Sequence, residues 1–219
     1  LNTRVYRIND FCSFADAVNY PDEVHITSGT EASGDEEYSR EITISVNEAQ
    51  QLATSVAPAD KSSMGLYWKS YDEGIVKVRD GEIFGVSAGD AIVKVFAGKD
   101  EYANAYDGIL VHVVDGSAAN PSVTRMSFGL IPDTSGALVN PTNVTVDVHQ
   151  NTRIEMKTLV EPWYYDGEVE VKWRTTSDSI ATVSSRGIVT THKEGTVTIY
   201  ADLYINGKKT IYSASTTLN

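Results

Sequence analysis

An all-β fold is predicted for this chain: two tandem antiparallel β-sandwich domains behind a short N-terminal extension. Three observations predict it. Apolar residues alternate with polar ones over many short runs, the period-2 pattern of half-buried strands. Gly, Asp, Asn and Pro separate the runs, as turns do in an antiparallel sandwich. The third observation is repetition. Val169 to Gly195 reads VEVKWRTTSDSIATVSSRGIVTTHKEG, and Leu66 to Gly89 reads LYWKSYDEGIVKVRDGEIFGVSAG. Trp68 and Trp173, Ile75 and Ile180, and Val78 and Val183 are each 105 residues apart. Gly81 and Gly187, and Gly89 and Gly195, are 106 apart, and Val56-Ala57-Pro58 precedes Val160-Glu161-Pro162 by 104. A period near 100 residues is too long for a solenoid repeat and suits whole domains.

The elements follow in order. Residues 1–21 form the extension. Asp10 is placed to cap a short helix with Phe11, Phe14, Ala15 and Val18 on one face and Pro21 at its end; the alternative is a strand from Thr3 to Ile8. The first domain spans 22–115. Val24 to Thr27 opens it, and a polar loop runs from Ser28 to Ser39. Ile42, Ile44 and Val46 alternate, as do Leu52, Thr54 and Val56. After the Trp68 stretch, Ala91, Val93 and Val95 alternate, and Ile109, Val111 and Val113 close the domain. Residues 116–121 are the linker; the stretch DGSAANP from Asp115 to Pro121 is small, polar and Pro-containing. Its shortness predicts an end-to-end pair. The second domain spans 122–219. Val123 to Phe128 opens it, and Gly129 to Pro141 is read as an inserted loop. Val144, Val146 and Val148 alternate, then Ile154, Met156, Thr158 and Val160. Asn206-Gly207 predicts a type I′ hairpin turn before a last strand from Lys209 to Leu218.

Composition narrows the function. The chain has 219 residues, room for two domains of about 100. Its net charge of −12 argues against nucleic acid and against an anionic membrane face, since both would repel it. No apolar run approaches the roughly 18–20 residues that span a bilayer. One cysteine, Cys12, leaves no intrachain disulfide and is read as a buried small hydrophobe. The chain opens on Leu1 with neither Met nor signal peptide, and is read as a processed or excised product whose anchor lies outside it.

The repeated residues carry a resemblance. Val-x-Pro is followed by Trp-x-Ser/Thr (Trp68-Lys69-Ser70, Trp173-Arg174-Thr175). Ile75-Val76-Lys77-Val78 or Ile180-Ala181-Thr182-Val183 comes next, then a turn Gly, and Ala-Gly or Glu-Gly ahead of an alternating strand. This order resembles the bacterial immunoglobulin-like domain of group 2, the module of intimin- and invasin-like surface proteins. It covers 42–113 and 144–218. The first copy departs from it at Tyr71, at Glu73-Gly74 and at Phe84-Gly85. The resemblance implies Ig-like sandwiches in a bacterial cell-surface protein, extracellular or periplasmic, serving as a spacer or adhesion module. It implies no catalytic set and no cofactor. The expected partner is a host or bacterial surface protein or a glycan, and the chain is expected to be a monomer.

Candidate sites are weighed on the residues themselves. Trp68, Trp173, Ile75, Ile180, Val78 and Val183 are expected in the cores. His25, His112, His149 and His192 have neither HxH nor HExxH spacing, so no metal site is expected. Asp35-Glu36-Glu37 and Asp100-Glu101 are read as solvated loops, with Ca²⁺ as the alternative. No GxSxG, Cys–His pair or phosphate loop points to catalysis. One feature differs between the copies. After Pro162 comes Trp163-Tyr164-Tyr165-Asp166-Gly167, where the first copy has the polar stretch from Ala59 to Ser63. This aromatic loop is read as a structural cover. The alternative is a glycan platform of Trp163, Tyr164, Tyr165 and Asp166. Accessory domains of a larger surface enzyme are the third reading.

Overall fold

The computed structural model describes residues 20–32, 37–61, 65–116 and 118–219. The N-terminal helix or strand, Cys12, and Asp35-Glu36 of the acidic loop lie outside the described residues. The chain divides into two compact units, Leu1–Asn120 and Pro121–Asn219.

In the first unit the strands are β1 (Glu23–Ile26), β2 (Thr30–Glu31), β3 (Arg40–Ser45), β4 (Ala49–Gln51) and β5 (Thr54–Ala57). They continue with β6 (Tyr67–Ser70), β7 (Val76–Arg79), β8 (Glu82–Gly85), β9 (Gly89–Phe96) and β10 (Tyr106–Val114). One sheet has the order β2-β3-β10-β9-β6, a second β4-β8-β7, and β1 pairs with β5. All pairs are antiparallel except β3 with β10, which run parallel with Ile42 beside Val111 and Ile44 beside Val113. The alternating residues meet between the sheets. Val93, Val95, Ile109 and Val111 are fully buried, joined by Val24, Ile26, Ile44, Val76 and Ile83.

The second unit holds β11 (Arg125–Phe128), β12 (Ile131–Pro132), β13 (Leu138–Val139), β14 (Thr145–Val146), β15 (Arg153–Glu155) and β16 (Thr158–Glu161). Then come β17 (Val169–Thr175), β18 (Ala181–Val183), β19 (Ile188–Thr191), β20 (Val197–Ile205) and β21 (Lys208–Leu218). Its sheets are β14-β21-β20-β17 and β15-β19-β18, with β11 paired to β16 and β12 to β13. The strands β14 and β21 run parallel. Phe128, Ile131, Met156, Val189, Ile199, Leu203 and Leu218 fill the core. Asn206 (φ 50) and Gly207 (φ 74) turn β20 into β21 with the two positive φ angles of a type I′ turn. The whole is an all-β, Ig-like sandwich architecture.

Four expectations from alternation need correction. The Ser28 to Ser39 loop contains β2, which pairs with β3. The Gly129 to Pro141 loop contains the hairpin β12–β13. Asp133 builds its turn by accepting bonds from the Ser135 and Ala137 amides at 2.8 and 3.0 Å, the local carboxylate chemistry that closes short turns. Leu52 is not in one strand with Val56, because the ladder breaks between β4 and β5. Val144 to Val148 forms a ladder only at Thr145–Val146, which leaves Val144 exposed.

Trp68, Trp173, Ile75, Ile180, Val78 and Val183 sit at the rims of the cores, half-buried and packed against them. The reason is topological. Trp68 is on β6 and Trp173 on β17, and each strand is the last of its sheet. An edge side chain has a neighbouring strand on one flank only. Each indole instead lies against the turn glycine of a hairpin. A Cβ on Gly81 would stand 3.1 Å from Trp68 Cζ2, and one on Gly187 only 2.6 Å from Trp173 Cζ2. Both glycines have positive φ, +82 and +79, which a residue with a Cβ adopts at a penalty. Ile75 and Ile180 close in the same way on Gly89 and Gly195.

Candidate functional site

The aromatic loop leaves β16 through Pro162 and turns at once, the Tyr165 amide donating to the Pro162 carbonyl at 3.0 Å. Tyr165 is half-buried and packs on the second core, with its hydroxyl end closing over Gly167. Trp163 and Tyr164 are half-buried as well and meet edge-to-face, with ring centres 5.4 Å apart at 80°. This is a favoured geometry for the ring quadrupoles. Asp166 is exposed beside them. The four residues are therefore together, with Tyr165 committed to the core.

The outward faces of the larger sheets carry cations on tyrosines. In the second unit Arg174 stacks on Tyr200 with its guanidinium carbon 3.6 Å from the ring centre, and Lys172 Nζ lies 4.3 Å from that of Tyr204. Between them Asp202 is nearly enclosed and accepts from Arg174 Nε at 3.3 Å, with Lys209 Nζ at 2.9 Å. Burial pushes its carboxyl up, but the bonds and charges of Lys209 and Arg174 outweigh it, so it titrates below its ordinary 3.8. In the first unit Tyr67, Phe96 and Tyr106 form a row with ring centres 6.0 and 5.8 Å apart. Beside it Lys94 and Lys69 stand over tyrosine rings. Which of these residues meet depends on registers between strands distant in sequence.

The comparisons with known proteins bear on this geometry. Residues 134–211 match the family model of the bacterial Ig-like domain, group 2. That segment is similar to the bacterial Ig-like domain of group 2. No curated protein matches the chain. Among solved structures, a mutant intimin of EHEC O157:H7 is similar at 20% identity and a TM-score of 0.29, over 44% of this chain and 46% of that one. The chain thus spans less than half of the intimin chain it matches. Domains 4 and 5 of the S-layer protein SbsC are similar at 17% identity and a TM-score of 0.28, over 91% of this chain and 98% of that one. A SusE-like surface located polysaccharide binding protein from the Bacteroides thetaiotaomicron heparin utilisation locus is similar at 10% and 0.30, over 82% and 32%.

The Ig-like match runs from the β12–β13 turn into β21, so it contains the aromatic loop, Trp173, Gly187 and Gly195. At one end of this Ig-like domain a cavity of about 400 Å³ opens among Val148, His149, Gln150, Lys193, Glu194 and Asn219. The histidines are dispersed. His149 Nε2 lies 3.1 Å from the Thr134 carbonyl, and His192 Nε2 lies 3.0 Å from Thr182 Oγ1. His25 is near Glu23 at 3.9 Å. His112 Nδ1 meets Asp90 at 2.8 Å and its Nε2 faces Glu41 at 3.7 Å, which raises its pKa above 6.5 against a smaller opposing effect of burial. Glu101 pairs with Lys69, and Asp100 accepts from the Tyr102 amide at 3.0 Å. Among the described residues no three His, Cys, Asp or Glu side chains gather as metal ligands. No helix among them is long and apolar enough to cross a membrane.

Proposed function

We propose that the chain is a non-catalytic segment of a bacterial cell-surface protein, in which two Ig-like modules in tandem act as a spacer or adhesion support. The observation that carries this reading is repetition on an Ig-like plan. The first unit has the sheet order β3-β10-β9-β6 where the Ig-like unit has β14-β21-β20-β17, and β4-β8-β7 where it has β15-β19-β18. Each unit also sets a tryptophan on a turn glycine, Trp68 on Gly81 and Trp173 on Gly187. Conserving such packing while loops vary suits a module that presents length and surface rather than chemistry. The similarity of residues 134–211 to the bacterial Ig-like domain supports the non-catalytic part. The expected partner is a surface protein or glycan. The aromatic loop is read as a structural cover, since Tyr165 packs on the core.

The test is location. Antibody raised against the purified chain should label intact, unpermeabilised cells of the source bacterium. Labelling only after permeabilisation, with signal confined to the cytoplasmic fraction, would overturn the proposal.

A further inference from the structure

We infer that the outward face of the β6–β9–β10 ladder binds an acidic, uronate-bearing polysaccharide, with Lys94 as its carboxylate anchor between Tyr71 and Tyr106. The site is separate from the aromatic loop and does not need the spacer role.

The starting point is a charge arrangement that the sheet alone does not favour. Lys69 on β6 and Lys94 on β9 are direct cross-strand partners, and like charges directly opposite destabilise a sheet. Glu101 neutralises Lys69. Lys94 has no carboxylate within ion-pair distance among the described residues. Its ammonium instead stands 5.3 Å from the ring centre of Tyr71 and 5.5 Å from that of Tyr106. Both distances fall inside the roughly 6 Å range of a cation–π contact. Among the described residues Lys94 is therefore a half-buried cation held by two rings without a carboxylate partner, a local exception in a chain whose net charge of −12 repels polyanions overall.

The rings define the rest of the ligand. Tyr71 is 52% exposed and Tyr106 53% exposed, so each keeps much of its surface open to solvent. Flat aromatic faces beside a cation suit a sugar ring, whose C–H face stacks while its carboxylate takes a charge-assisted bond from the ammonium. The Tyr67–Phe96–Tyr106 row extends the apolar floor, and the backbone of Glu37 and Tyr38 bounds the site over Gly108. An acidic peptide fits less well. Strand β9 is hydrogen-bonded on both sides, to β6 and β10. Beside Lys94 the face therefore offers no open backbone groups, and the free sheet edge lies on the far side of β6. A neutral glycan would leave Lys94 without its counter-charge.

The test is affinity electrophoresis of the full chain through gels containing polygalacturonate, neutral dextran or polyglutamate. Polygalacturonate should retard the protein, and retardation should fall as salt rises. Dextran and polyglutamate should leave its mobility unchanged. Lys94→Met, which keeps the stem packing, should raise the apparent Kd by about tenfold or more with an unchanged melting temperature. Tyr71→Ala should weaken binding similarly; if it also lowers the melting temperature, Lys94→Met alone decides. No retardation by polygalacturonate, equal retardation by polyglutamate, or wild-type binding by Lys94→Met would each overturn the inference.

Discussion

Replacing Gly187 by Ala tests the tryptophan-on-glycine packing directly. Gly187 turns β18 into β19 at φ +79. An added Cβ would stand 2.5 Å from the Met156 carbonyl oxygen and 2.6 Å from Trp173 Cζ2. Two penalties follow. The left-handed backbone costs a residue with a Cβ about 1–2 kcal/mol. Crowding a backbone oxygen and a packed indole costs roughly another 1–3 kcal/mol. Gly207 is the control, because it has φ +74 and nothing within 4 Å of the added Cβ. Gly207→Ala should therefore show the backbone penalty alone. In a domain of about 100 residues each kcal/mol moves the melting midpoint by about 4–8 °C. Scanning calorimetry should place the second unit's transition at least about 4 °C lower in Gly187→Ala than in Gly207→Ala. Gly81→Ala should show a smaller excess, since its Cβ would meet the flexible Gln51 amide at 2.7 Å and Trp68 at a looser 3.1 Å. Equal midpoints for Gly187→Ala and Gly207→Ala would refute the packing argument.

Three further outcomes are expected. Trp173→Ala removes a ring stacked on Phe128 at 5.7 Å and 12°, and should cost about 3–5 kcal/mol in urea unfolding, toward the low end because Trp173 is half-buried. Trp163→Ala should lower the melting temperature by several degrees, as about 1–2 kcal/mol does, and leave glycan-array binding unchanged; lost array binding at unchanged stability would revive the platform reading. His112→Gln should reveal a pH-linked contribution. The pKa of His112 is raised by Asp90 and Glu41, so its stabilisation is complete below about 6.5 and is lost as pH rises through the higher folded value. The stability difference between wild type and His112→Gln should therefore shrink from pH 5 to pH 8, and it should stay below about 1 kcal/mol for so exposed a pair. A difference that grows with pH would contradict the assignment.

Some of this structure was legible in the sequence because its causes are local. Ala91, Val93 and Val95, and Ile109, Val111 and Val113, alternate in the sequence and all six are buried. The turn at Asn206-Gly207 needs two positive φ angles and has the residues that accept them. Edge position was not legible. Trp68 and Trp173 alternate like core residues, and only the sheet order shows that β6 and β17 end their sheets. The β12–β13 hairpin was missed because two-residue strands leave too short a pattern. The Lys94 site was missed for a different reason. Tyr71, Lys94 and Tyr106 are scattered in sequence, and only the registers of β6 and β10 against β9 bring them together. The aromatic loop was visible as a composition difference, but the inward turn of Tyr165 depends on the small residue at Gly167 and on the exposed core edge it covers.

The parallel pairing of β3 with β10, and of β14 with β21, has a mechanical consequence. In a parallel pair the chain enters at one end and leaves at the opposite end. Once β1 or β11 has detached, tension along the chain pulls the two strands past each other. Their hydrogen bonds then break together rather than one after another, as they would when a hairpin is peeled open. The first unit holds this clamp with six residue pairs, from Arg40–Ile109 to Ser45–Val114, and the second with two, Thr145–Thr217 and Val146–Leu218, flanked by the Asn143 amide on the Ser215 carbonyl and the Val148 amide on the Asn219 carbonyl. Forced unfolding is governed by the barrier rather than by equilibrium stability. Under load the second unit should therefore yield first, leaving the first as the stiffer link.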